Sequence, residues 1–195
     1  MRAYSISAKA LWCISAICGV PGMLSLGATG VRAESAEPAL TLEAKVPLGD
    51  VNGRIDHMAI DPKRQRLFVA ELGNNTVGVV DLKERKMVHV ITGLKEPQGV
   101  AYVPSSDMIY VANAGDGSVR LFRAENYEPA GRIDLGEDAD NIRVDVTGNR
   151  VFVGYGYGAL AVIDPETASK TSTIPLNAHP KGFKLATTSK HHFVT

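Results

Sequence analysis

The residues best suited to chemistry in this chain are two histidines and two aspartates from distant parts of the sequence. His57 and His179 with Asp56 and Asp140 combine imidazole and carboxylate, donors that suit zinc, copper, iron or manganese. They follow no local metal-ligand spacing, so a divalent metal is one reading of them and a polar pocket is another. Arg54, Glu96, Gln98 and Asn141 carry further charged or amide groups. Arg54 beside an acid is equally well used in a salt bridge. The stretch Gly154-Tyr155-Gly156-Tyr157-Gly158 offers Tyr155 and Tyr157 as rings that could stack on a sugar or aromatic ligand. It also reads plainly as a glycine-rich hairpin. It is not a phosphate loop, because the spacing departs from G-x-G-x-x-G and no helix follows. No G-x-S-x-G or H-E-x-x-H occurs, so no catalytic residue is assigned.

What could bring such residues together is an internal repeat. Val69, Val111 and Val153 sit in the apolar runs Leu67–Ala70, Ile109–Ala112 and Val151–Gly154, spaced by 42 and 42 residues. Ile60, Tyr102 and Val144 each lie nine residues earlier. Val77 and Val119 follow by eight, whereas Leu160 follows by seven, so the third repeat has a turn one residue shorter. Each period reads as four short strands. In the first they are Asp56–Asp61, Arg66–Glu71, Thr76–Asp81 and Met87–Thr92, separated by Pro-, Gly- and Asn-rich turns. Four strands in about 42 residues predict a β-propeller blade. An immunoglobulin-like sandwich, the other all-β candidate, does not predict such exact self-similarity.

The expected fold is therefore all-β: an incomplete propeller of three blades and part of a fourth. The expected bounds are 54–93, 96–136 and 138–176, with a partial blade at 179–195. Leu42–Leu48 is expected to be an orphan outer strand ahead of the first blade. Stacking the periods makes Arg54, Glu96, Asp138 and His179 equivalent. Asp56, Gln98, Asp140 and Lys181 form a second set, and His57, Gly99, Asn141 and Gly182 a third. All should face one mouth of the central channel, with the Tyr155–Tyr157 turn. Such an arc exposes an apolar blade face and strand edges, inviting association through them. The chain is then either a truncated product or one of several copies completing a ring.

Residues 1–33 read as a cleaved secretory signal. Arg2 and Lys9 precede an apolar stretch from Ala10 to Ala28, and Val31-Arg32-Ala33 suits a cleavage site. Interrupting Gly and Pro residues argue against a membrane anchor, so no membrane span is expected after cleavage. The whole chain has 195 residues with 21 basic and 21 acidic groups. Removing Arg2, Lys9 and Arg32 leaves 162 residues with 18 basic groups against 21 acids, a net charge of −3. That balance, without a basic cluster, argues against a nucleic-acid partner. Cys13 and Cys18 leave with the signal, so the mature chain has no disulfide or cysteine metal site. The expected location is periplasmic or secreted.

Ile109-Tyr110-Val111-Ala112-Asn113 resembles the "YVTN" signature of the exported bacterial YVTN/YncE-like β-propellers, a WD40/YVTN repeat-like group. Pro97–Ala101, Ser118–Phe122, Val79-Val80-Asp81, Val162-Ile163-Asp164 and Arg54–Asp61 are similar to that repeat. The resemblance spans about Leu42 to Leu185. It implies a ring of seven blades and fixes no activity. The resulting expectation is an exported, non-enzymatic scaffold that binds a small molecule or an envelope protein at the channel mouth, without a cofactor. The alternatives are a metal- or cofactor-dependent propeller enzyme of lactonase or dehydrogenase-subunit type, and a non-functional truncated remnant.

Overall fold

In each period, Val, Ile and Phe alternate with small or polar residues, and an aspartate commonly closes a strand. A computed structural model describes residues 40–186 and 192–194. The expected signal segment, 1–33, lies outside them. Blade 1 comprises β1 (Ile55–Asp61), β2 (Arg66–Glu71), β3 (Thr76–Asp81) and β4 (Lys86–Ile91). Blade 2 comprises β5 (Pro97–Val103), β6 (Met108–Asn113), β7 (Ser118–Arg123) and β8 (Pro129–Asp134). Blade 3 comprises β9 (Ala139–Asp145), β10 (Arg150–Tyr155), β11 (Ala159–Asp164) and β12 (Ser169–Pro175). Each is an antiparallel sheet with its strands in sequence order. A two-stranded hairpin, β13 (Phe183–Leu185) with β14 (His192–Val194), follows. Among the described residues no helix is long and apolar enough to cross a membrane.

The turns explain the regularity. Gln65, Asp107 and Asn149 occupy one position of the first turn in each blade, with φ of 52°, 54° and 48°. Asp and Asn tolerate this left-handed backbone better than most residues. Strand-end aspartates then satisfy the turn amides: Asp61 accepts from Lys63 and Arg64, Asp81 from Glu84, and Asp164 from Glu166.

A single blade cannot bury both faces, so the core forms between blades. Phe68, Val77 and Val79 of blade 1 pack against Val100, Ile109 and Phe122 of blade 2. Tyr110, Val119 and Leu121 of blade 2 pack against Ile142, Val151 and Val153 of blade 3. Phe152, Leu160 and Val162 of blade 3 meet Phe183 of β13. A bidentate ion pair adds a tie at the opposite end from the expected mouth. Arg64 bonds Asp107 at 2.6 and 2.8 Å and Asp61 at 2.8 Å, and the Tyr102 hydroxyl donates to Asp107.

One set of equivalent positions shows where the stack is open. Met58, Val100, Ile142 and Phe183 pair with Val69, Val111, Val153 and Val194 in the same register. Val100, Ile142 and Phe183 each pack on the preceding blade and are 5%, 3% and 3% exposed, whereas Met58 is 60% exposed. Ile60 and Val90 are exposed with it. Burying side chains of this size stabilises by about 1.5–3 kcal/mol each, a gain that blade 1 forgoes at Met58 on this face.

The segment ahead of blade 1 departs from expectation. Leu42–Leu48 forms no strand. A strand needs a neighbour to pair its backbone groups, and the described residues supply none along it. The segment instead follows blade 1. Arg85 bonds Glu43 at 2.6 Å, the Asn52 amide donates to Asn74 Oδ1, and Asn74 Nδ2 donates to the Asp50 carbonyl. Gly73 permits this approach, since a Cβ there would stand 2.2 Å from the Asn52 carbonyl oxygen.

Candidate functional site at the channel mouth

The innermost strands β1, β5 and β9 begin with an irregularity in the same place. The register with the second strand shifts between Ile55 and Met58, between Pro97 and Val100, and opposite Val153–Tyr155 in blade 3. A bulge re-aims side chains that a regular strand would alternate between faces. The bulged residues are Asp56-His57, Gln98-Gly99 and Asp140-Asn141. Gly99 sets their spacing. A Cβ at that position would lie 2.1 Å from the Asp140 carbonyl oxygen and 3.0 Å from Ile142 Cγ1. The bare backbone lets neighbouring inner strands close up.

The result is a cavity of about 440 Å³ lined by Arg54, Asp56, His57, Gln98, Asp138, Asp140, His179 and Lys181. All three blades and the segment before β13 contribute. His179 is the hub. Its Nδ1 lies 2.5 Å from the Gly156 carbonyl and 3.6 Å from Asp138 Oδ2, while Nε2 lies 3.4 Å from Asp140 Oδ2. On the far side Arg54 Nη2 bonds Asp56 Oδ2 at 2.8 Å. His57 Nδ1 sits 2.9 Å from Asp56 Oδ1 but off the line of a hydrogen bond. Arg54 is largely exposed, so its ion pair contributes little, about 0–1 kcal/mol.

Two groups titrate away from their ordinary values. The Gly156 carbonyl, which can only accept, holds His179 above 6.5, and Asp140 and Asp138 add to this against some burial. Burial raises the Asp140 carboxyl above 3.8, although the bond from His179 pulls it down. A histidine whose folded value is raised contributes stability that is complete below 6.5. That contribution is lost as pH rises through the folded value. The Asp140 window lies lower, beginning at 3.8. Thermal unfolding followed from about pH 6 upward should therefore show a falling midpoint, and His179→Gln should flatten that fall. An unchanged pH profile in the variant would contradict the pairing.

Six of the residues singled out from sequence line the cavity: Arg54, Asp56, His57, Gln98, Asp140 and His179. Four do not. Glu96 has φ 49° and its backbone amide is tied to Asn75 Oδ1. Asn141 is buried, and its Nδ2 donates to the Lys181 carbonyl at 2.6 Å. Tyr155 packs toward β12, under Lys170 Nζ and 3.3 Å from Thr173 Oγ1. Tyr157 is 88% exposed. The two rings thus form no shared stacking platform at the mouth. Asp138 and Lys181 line the cavity as well, and their repeat equivalence to Arg54 and Asp56 was the available signal. Among the described residues no group of three or more His, Cys, Asp or Glu side chains converges to hold a metal ion. The Nδ1 of His179 faces a carbonyl and so carries a proton.

No protein-family model and no curated protein matches the sequence. Among solved structures, hydrazine synthase of Kuenenia stuttgartiensis aligns with a TM-score of 0.61 at 20% identity, over 74% of this chain and 41% of that one. A 6-phosphogluconolactonase-like protein of Bacteroides uniformis aligns with a TM-score of 0.61 at 14% identity, over 72% of this chain and 46% of that one. The chain spans less than half the length of either. At these identities the likeness concerns fold alone, and with the three four-stranded sheets it shows a β-propeller architecture.

Proposed function

We propose that this chain is an exported, YncE-like propeller scaffold, with residues 1–33 as its signal and 34–195 as the propeller. Its channel mouth binds a small polar molecule without turning it over. The observation that carries this reading is the 440 Å³ mouth cavity, fed by every blade entry. Its lining has both signs of charge: Arg54 and Lys181 against Asp138 and Asp140. Such a set suits a ligand with an anionic and a cationic group, which would exchange the internal ion pairs for its own. An envelope protein presenting a charged loop is the other partner of this chemistry.

The test is calorimetric titration with a panel of zwitterionic amino acids and small peptides. At least one should bind, and Asp140→Asn should weaken it about tenfold or more, the effect of losing a charge-assisted hydrogen bond in a partly dry site. Tyr157→Ala, away from the cavity, should leave affinity unchanged. Failure of the whole panel to bind, or equal binding by Asp140→Asn, would overturn the reading.

A further inference from the structure

A second recess opens at the same end of blade 1, beside the segment that runs along the face where Met58 is exposed. It is a cavity of about 620 Å³ whose lining includes Asp50, Glu71 and Thr76 together with Leu48, Met87 and Val90. Glu71, the last residue of β2, is 3% exposed. Its Oε2 accepts from Thr76 Oγ1 at 2.7 Å. Its Oε1 is buried and has no hydrogen-bond partner among the described residues. The equivalent side chain in blade 2, Asn113, is fully met. Its Oδ1 takes the Lys95 amide, and its Nδ2 donates to the Val111 and Ser118 carbonyls. In blade 1 the entering connector is pinned through Asn52 and Asn74 instead, and Glu71 is left half-satisfied.

A buried carboxylate oxygen without a donor is strongly unfavourable, so the position calls for a cationic or donor group from outside. Gly78 fixes where that carboxylate sits. A Cβ there would stand 2.5 Å from Glu71 Oε1 and 2.8 Å from Met87 Cε. The bare backbone thus seats both the carboxylate and the thioether methyl beside the recess. The recess is far larger than a single ion needs, and much of its wall is apolar.

We infer that this recess binds a small aliphatic ammonium. Its head donates to Glu71 Oε1 with Asp50 at the rim, and its alkyl body lies against Leu48, Met87 and Val90. A primary ammonium supplies three donors on a compact head, enough to meet both carboxylates at once. The methionine adapts its shape to the chain.

The experiment is a titration of the full chain with n-hexylammonium chloride, followed by amide NMR shifts and calorimetry. 1-Hexanol and calcium chloride serve as comparison probes. The expected result is hexylammonium binding at least tenfold tighter than hexanol, with shifts centred on Asn74, Thr76 and Met87. Glu71→Gln should remove that tenfold preference while hexanol binding stays the same, and Tyr157→Ala, which lines neither cavity, should change neither. If Glu71→Gln does not fold, the amine-over-alcohol preference and the location of the shifts in the unmutated chain decide the matter. Equal affinity for amine and alcohol, shifts elsewhere, an undiminished preference in Glu71→Gln, or a response to calcium alone would each overturn the inference.

Discussion

Gly99→Val is expected to destabilise the protein by about 3 kcal/mol and to abolish ligand binding at the channel mouth. The added side chain has nowhere to go. Its Cβ alone would meet the Asp140 backbone oxygen at 2.1 Å, and a backbone atom in a neighbouring sheet cannot swing aside as a flexible side chain can. Relief requires β5 and β9 to separate, which pulls Val100 and Ile142 from the blades they bury against. It also moves Asp140 away from His179. Gly131→Ala is the matched control: it lies in β8 with nothing nearer than Leu121 Cβ at 4.0 Å, and should cost under about 1 kcal/mol, a surface substitution. Urea unfolding of both variants measures the difference. Similar midpoints would mean that the inner strands are not packed as closely as this geometry requires.

Phe68→Ala should cost about 3–5 kcal/mol, the range for deleting a fully buried aromatic side chain. Phe68 is completely enclosed between blades 1 and 2, against Val100, Val111 and Phe122. Collapse around the hole is resisted because the same sheets are held in register by their own ladders. Met58→Ala in the same sheet should cost less than about 1 kcal/mol, because Met58 is 60% exposed. Denaturant midpoints for the two variants therefore report whether a neighbour covers Met58 as blade 2 covers Phe68. A large loss from Met58→Ala would mean that something packs on that face, such as a second copy of the chain.

Much of the fold was legible because a 42-residue period is a long-range constraint that local propensity rarely mimics. The first-blade strands read from sequence lie within a residue of β1 to β4 at each end. The shortened third turn falls between Tyr155 and Ala159 as the spacing of Leu160 required. The outer strands were less regular. β8 begins at Pro129, one residue later than the period places it, although the turn before it keeps its length: Tyr127 at φ 63° stands 42 residues after Arg85 at φ 54°.

The site was legible as backbone positions and less so as side-chain directions. Repeat equivalence brought Glu96 and Asp138 to one place, yet only Asp138 lines the cavity. The difference lies in what each connector bonds, which no period encodes. Asn141 shares the mouth position of His57 but turns inward, because the Lys181 carbonyl offers its amide a partner. Glu71 drew no notice in the sequence, where it reads as a strand end. Its significance depends on a partner that is missing, and that is visible only once the neighbours are in place.

Residues far apart in sequence meet at one mouth, and the ionisation of His179 reports this most directly. NMR titration of its imidazole should give a value above 6.5, which falls when Asp140→Asn removes the facing carboxylate. A value at or below 6.5 that ignores the Asp140 substitution would mean the fourth segment does not close on blade 3, and the mouth described here would not exist.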